Sequence, residues 1–150
     1  MTPPAPENGF QSAHANLIID SFQRVIGRPL CDLATPETLY TMDRIVLSHN
    51  GAADPVLTYG NLAAQRLWEM DWTALTALPS RLTAEPTERA ERDAMFAQMR
   101  AKGYIDTYSG IRISATGTRF EIRNAIIWPL LDDAGTKHGE AATFVDYRFL

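Results

Sequence analysis

Between Ser12 and Ile26 the apolar residues Ile18, Phe22 and Val25 recur at i, i+4 and i+7, while Asp20, Gln23 and Arg24 fall on other faces. That spacing predicts an amphipathic helix, ended by Gly27 and Pro29. Its stripe needs a partner, either its own sheet or a second subunit. Thr35 before Pro36 makes an N-cap and first-turn pair for a short helix through about Asp43. The periodicity then changes. IVLS and VLTY are short runs of β-branched and aromatic residues, separated by HNGAADP with Asn50, Gly51 and Pro55, and they predict two strands of a hairpin. Asn61 can cap a helix running to about Met70, with Leu62, Leu67 and Trp68 inward. Asp71 can cap another turn, which Pro79 ends. Thr87 to Lys102 is the longest helical pattern. Met95, Phe96 and Met99 share one face, Glu88, Arg89, Glu91 and Arg92 form a solvated one, and Gly103 stands just past the end.

The last part of the chain reads as a hairpin followed by one more strand. With Thr116 and Gly117 as a two-residue loop, Ile113 opposes Phe120, Ile111 opposes Ile122, Thr107 opposes Ile126 and Ile105 opposes Trp128. Arg112, Arg119, Glu121 and Arg123 then take the other face. Ser109 opposite Asn124 becomes a polar pair on the apolar inner face, and those groups either satisfy each other or reach a ligand. Ile126 to Leu131 is apolar on both alternations, as in a strand covered on both sides or at an interface. Glu140 to Phe149 is the last strand, after a turn with Gly135 and Gly139. The expected fold is α+β: a five-stranded antiparallel sheet with helices on one face, plus N-terminal helices.

Composition narrows the function classes. At 150 residues and 45% hydrophobic the chain fits a single domain. The opening MTPPAPENGF has neither a basic nor an apolar segment, so residues 1–11 are expected to be a disordered tail, with a helical region over 12–37. No apolar run approaches the ~20 residues of a membrane span. A formal net charge of −4 argues against general nucleic-acid binding, which rests on clustered Lys and Arg. One cysteine excludes an internal disulfide and is compatible with a cytoplasmic location.

The segments RIVLSHN, DPVLTYGN, LPSRLTAEP, YSGIRISATGTRF and WPLLDDAG together resemble the MEKHLA-domain family in its free-standing bacterial form. That family is similar to PAS sensor domains and is also found at the end of some plant homeodomain leucine-zipper regulators. The resemblance spans Thr38 to Leu150 (the domain 38–150) and supplies no catalytic residue to carry over. It implies a PAS-like fold with a ligand held between sheet and helices, and cavities there are the usual place for such sites. Ser109 and Asn124, flanked by Tyr59, Arg81 and Trp128, are the candidate ligand-binding residues, with His49 beside them. Light sensors of the PAS class place a reactive cysteine and an arginine shortly before the long helix. Here LPSRL has Ser80 at the cysteine's place and keeps Arg81, with Cys31 far upstream, so adduct photochemistry is not expected, and the residues point to no particular cofactor. Arg81 can grip an anion or pair with Glu85 or Glu88. His14, His49 and His138 lie in separate segments, which does not suit a zinc site.

Three function classes remain. The first is a cytoplasmic sensor domain, not an enzyme, that binds a small organic molecule and acts through protein association, with a homodimer expected. The second is a ligand-free interaction module. The third is a small cone-shaped enzyme using His49, Asp54 or Asp106 as acid or base. Neither direct nucleic-acid nor membrane contact is expected.

Overall fold

A computed structural model of the chain describes residues 2–85 and 103–150, together with Ala94, Ala97, Met99 and Ala101. These four are helical, Met99 is buried, and the N–H of Gly103 closes on the Met99 carbonyl at 2.7 Å. The remaining expectations for Thr87 to Lys102, Met95 and Phe96 included, lie outside the described residues.

Side-chain caps start the second, third and fourth helices, and a glycine ends the first. Helix α1 spans Ser12–Ile26 and stops at Gly27, whose φ of 86° suits a residue without a Cβ. In α2 (Pro36–Thr41) the Thr35 hydroxyl accepts from the Thr38 N–H. Asn61 caps α3 (Leu62–Trp68), and Asp71 caps α4 (Trp72–Leu75). Strands β1 (Ile45–Asn50), β2 (Leu57–Gly60), β3 (Ile105–Ile113), β4 (Arg119–Leu131), β5 (Lys137–Phe144) and β6 (Asp146–Phe149) form one antiparallel sheet in the order β2-β1-β5-β4-β3. The expected last strand is broken at Val145. Its second piece, β6, pairs with the first half of β4, from Phe120 opposite Phe149 to Arg123 opposite Asp146. Residues 2–11, expected as a tail, carry a 3₁₀ turn at Pro6–Asn8.

Both faces of the sheet are covered. Ile45, Leu47, Ile122, Ile127 and Phe144 face α3, Leu75 and Met99. Val46, Ile126, Trp128 and Leu130 face α1, where Ile18 and Phe22 are buried, and Phe22 meets Trp128 edge to face at 4.9 Å. The α1 stripe therefore packs on its own sheet. Burial of each such large apolar side chain stabilises the fold by roughly 1.5–3 kcal/mol. The doubly apolar run Ile126 to Leu131 is a strand covered on both sides, as its pattern predicts.

The β3–β4 register differs from the two-residue-loop expectation. Pairing starts at Ile113 opposite Arg119 and continues with Arg112 opposite Phe120 and Gly110 opposite Ile122. The loop is longer because Ser114 bridges its base, its N–H to the Thr118 carbonyl at 2.9 Å and its hydroxyl to Glu69 of the α3 end at 2.6 Å. Slipping one strand by a single residue exchanges its faces. Tyr108 and Arg112 consequently point inward. Two irregularities then readjust the pairing. One falls at Arg123–Asn124, where Asn124 takes a φ of 54°, and the other at Asp106–Thr107. They put Ala125 and Ile127 on the inner face and Trp128 on the α1 face.

Candidate functional site

A cavity of about 60 Å³ lies between the inner face of the sheet and the helical side of the domain. Its apolar wall is made by Leu57, Trp68, Ile122, Ile127 and Phe144. His49, Ser80, Thr83, Tyr108, Arg112 and Glu140 supply polar groups. The volume leaves room for a few waters or a molecule of a few heavy atoms, well below the ~300–1,000 Å³ usual for drug-sized ligands.

The β3 edge of this cavity is built by alternation. Tyr108, Gly110 and Arg112 share the inner face. The Arg112 guanidinium stacks over the Tyr108 ring at 5.1 Å from its centroid, and Nη2 donates to the Tyr108 hydroxyl. Nη1 donates to the Ile111 carbonyl at 2.8 Å. Gly110 makes this possible. A Cβ there would lie 2.9 Å from Tyr108 Cζ and 3.2 Å from Arg112 Nη1. Arg112 is only 6% exposed, and among the described residues no carboxylate pairs with it. A buried cation in that position is costly unless something else satisfies it. Trp68 adds a second donor, since its indole N–H is buried without an acceptor among the described residues.

The β1–β5 side carries the opposite charge. Glu140 is buried, with Oε1 accepting from Lys137 Nζ at 2.9 Å and Oε2 3.8 Å from His49 Nε2. His49 Nδ1 lies 2.8 Å from the Asn50 carbonyl, which can only accept, so Nδ1 carries a proton.

Of the candidate ligand-binding residues picked out by the sequence, His49 alone lines the cavity. Tyr59 is fully buried on the α1 side, edge-on to Trp72 at 5.4 Å, and burial pushes its phenol well above the ordinary range, with Tyr40 adding to the effect. Trp128 is also fully buried there, its indole N–H donating to Ser21 Oγ at 3.1 Å. Ser109 and Asn124 are exposed, because the register and the left-handed Asn124 turn both away from the core. Arg81 is exposed too. It pairs at 3.2 Å with Asp54, across the hairpin turn, and not with Glu85, which pairs with Arg119. Asp106 is exposed on β3. Tyr108, Arg112 and Glu140 are the cavity residues that sequence reasoning passed over, whereas Trp68 is the tryptophan of the three that lines the cavity, from the inward face of α3 where its spacing places it. The signal for two of them was the run Tyr108-Ser109-Gly110-Ile111-Arg112, in which a glycine stands between an aromatic and a cation at strand spacing.

Among the described residues no cluster of three or more His, Cys, Asp or Glu side chains could hold a metal, and no helix is long and apolar enough to cross a membrane.

Comparison with known proteins agrees with this architecture. A homeobox-leucine zipper protein of Arabidopsis thaliana, ATHB-9, is 29% identical over 98 residues, covering 65% of this chain and 12% of that protein. The chain thus spans about an eighth of that relative. Among solved structures, the PAS domain of a Colwellia psychrerythraea protein superposes with a TM-score of 0.64 at 10% identity, covering 76% of this chain and 92% of the other. A light-oxygen-voltage domain studied with a flavin analogue gives 0.62 at 13% identity, covering 79% and 86%. An RNA-binding light-oxygen-voltage receptor gives 0.59 at 18% identity, covering 73% and 31%. At these identities the likeness is one of fold. The residues do not fit a flavin of the adduct-forming kind: the cavity wall has Ser80 and no cysteine among its described lining residues, and the volume is too small for a tricyclic ring. The MEKHLA domain model matches residues 12–149. The fold is that of PAS and light-oxygen-voltage sensor domains, and the chain belongs to the MEKHLA domain family.

Proposed function

We propose that the domain is a sensor module that takes up a small organic molecule between sheet and helices and passes its occupancy on through protein association. The observation that carries this reading is the cavity itself, with polar and charged groups set into an otherwise apolar wall. A core evolved only to be filled has no use for a buried guanidinium and a buried carboxylate on opposite sides of a void. For association, Val145, Phe149 and Leu150 stay exposed at the end of the sheet. A second copy of the chain is the partner this reading names first, although the α1 stripe is already covered by its own sheet.

The test is native mass spectrometry of the purified protein, with light scattering at tens of micromolar with and without added ligand. A co-purifying small mass, or a ligand-dependent change in assembly, is the expected result. A bare protein mass together with no thermal shift across a small-molecule panel refutes the sensor reading. The second reading, a ligand-free interaction module, then follows, favoured by the small cavity volume and the apolar strand end.

A further inference from the structure

We propose that the cavity recognises a small carboxylate, with Arg112 and Tyr108 holding the carboxylate and the apolar wall holding a short carbon body. The proposal rests on the sensor reading above and names the class of molecule sensed.

Three observations converge on this class. The first is a buried cation with no ion pair among the described residues. Two hydrogen bonds, to the Ile111 carbonyl and the Tyr108 hydroxyl, leave the rest of the Arg112 N–H fork without an acceptor among the described residues. Guanidinium and carboxylate match in plane and spacing, and burial strengthens such a pair relative to one at the surface. The second is the balance of donors and acceptors. Tyr108 already accepts from Arg112, so its own O–H is left to donate, and Trp68 contributes a buried indole N–H that also lacks an acceptor among the described residues. A ligand head with acceptors only satisfies all three groups, whereas an ammonium head, with donors and no acceptor, satisfies none of them. The third is Gly110. Its missing side chain lets phenol and guanidinium meet above the strand, so the pair is held by the backbone pattern and not by a flexible surface arginine.

Glu140 is the opposing charge in the cavity. Lys137 Nζ at 2.9 Å compensates its charge, and its other oxygen is turned toward His49. An anion is therefore directed to the Arg112 side. The apolar wall of Leu57, Ile122, Ile127 and Phe144 favours an aliphatic body, and the volume keeps it short.

The experiment titrates the full chain with acetate, propionate, butyrate and benzoate, and with butyramide and butanol as neutral counterparts, at constant ionic strength balanced with sodium chloride. Binding is read by calorimetry and by the fluorescence of the cavity tryptophan. One or more carboxylates should bind saturably and raise the melting temperature, with the matching amide at least about tenfold weaker, the effect of losing one charge-assisted contact. Tyr108→Phe should weaken the carboxylate severalfold and leave the neutral compounds unchanged. Arg112→Gln should erase the preference for the charged form. If that variant does not fold, the wild-type comparison and Tyr108→Phe decide the matter. Equal binding of butyrate and butyramide overturns the carboxylate assignment and leaves the sensor reading standing. No binding by any compound at millimolar concentration, with Ala125→Leu raising the melting temperature by filling the void, overturns both.

Discussion

Asn61 is the residue whose loss the fold should tolerate least outside the apolar core. It is fully buried, and its side chain makes four hydrogen bonds. Oδ1 accepts from the N–H groups of Val46 at 3.2 Å and Ala64 at 3.1 Å. Nδ2 donates to the carbonyls of Leu39 at 3.0 Å and Arg44 at 2.7 Å. One amide thus caps α3, secures the start of β1 and ties down the end of α2. Asn61→Ala removes the cap, worth about 1 kcal/mol, and strands several backbone groups, each costing about 1–3 kcal/mol where water cannot replace the lost partner. Allowing for partial solvation at Arg44, the loss should be on the order of 3–5 kcal/mol, or about 10 °C in melting temperature for a domain of this length. Asn61→Ser, which can keep the cap, should lose less. Asn61→Asp should lose at least as much as alanine, because it turns a carboxylate oxygen toward two carbonyls. Urea unfolding followed by circular dichroism measures the series. A loss below about 1 kcal/mol for alanine, or aspartate matching wild type, would show that the amide is not the junction described.

Other substitutions probe separate parts of the structure. His14 lies against Ser48 Oγ at 2.9 Å, and its pKa is lowered from the ordinary 6.5, first by burial and then by His138. A depressed histidine pKa means the unfolded chain takes up the proton first. Its contribution is therefore complete above pH 6.5 and is lost as pH falls, so the melting temperature should drop between pH 7 and pH 5, and His14→Gln should flatten that slope. Arg81→Ala removes an exposed pair with Asp54 and should shift stability by less than about 1 kcal/mol in thermal melts; a larger loss would mean that Arg81 does more than this pair. Gly110→Ala forces a Cβ against Tyr108 and Arg112 and should cost about 1–3 kcal/mol by chemical denaturation, whereas a neutral result would show the β3 wall to be loose.

What the chain revealed about its fold was what lies close in sequence. Thr35, Asn61 and Asp71 each accept from an N–H three residues on, so a cap can be read from a handful of neighbouring letters. The α1 stripe and the doubly apolar Ile126 to Leu131 were equally plain, because burial imprints a period on the chain. Which surface covers α1 is not legible in this way, since a stripe specifies a greasy partner and not its address.

The candidate site was hidden because it depends on a register set from a distance. The β3–β4 loop is held by Glu69, which accepts from Ser114 and Thr116, residues far along the chain, and no turn rule contains that contact. The shorter loop pairs Ile113 with Phe120, the better apolar match, and it puts Arg112 in water. The structure instead accepts an inward arginine. The sequence carries no offsetting acid at strand spacing that would have predicted this, and the described residues show no ion pair to it. A local rule broken without a local remedy is where a functional constraint is most expected. By that argument the register and the Arg112 cation, which has no ion pair among the described residues, have one source: a hairpin that gives up its best apolar pairing to bring a guanidinium into the core.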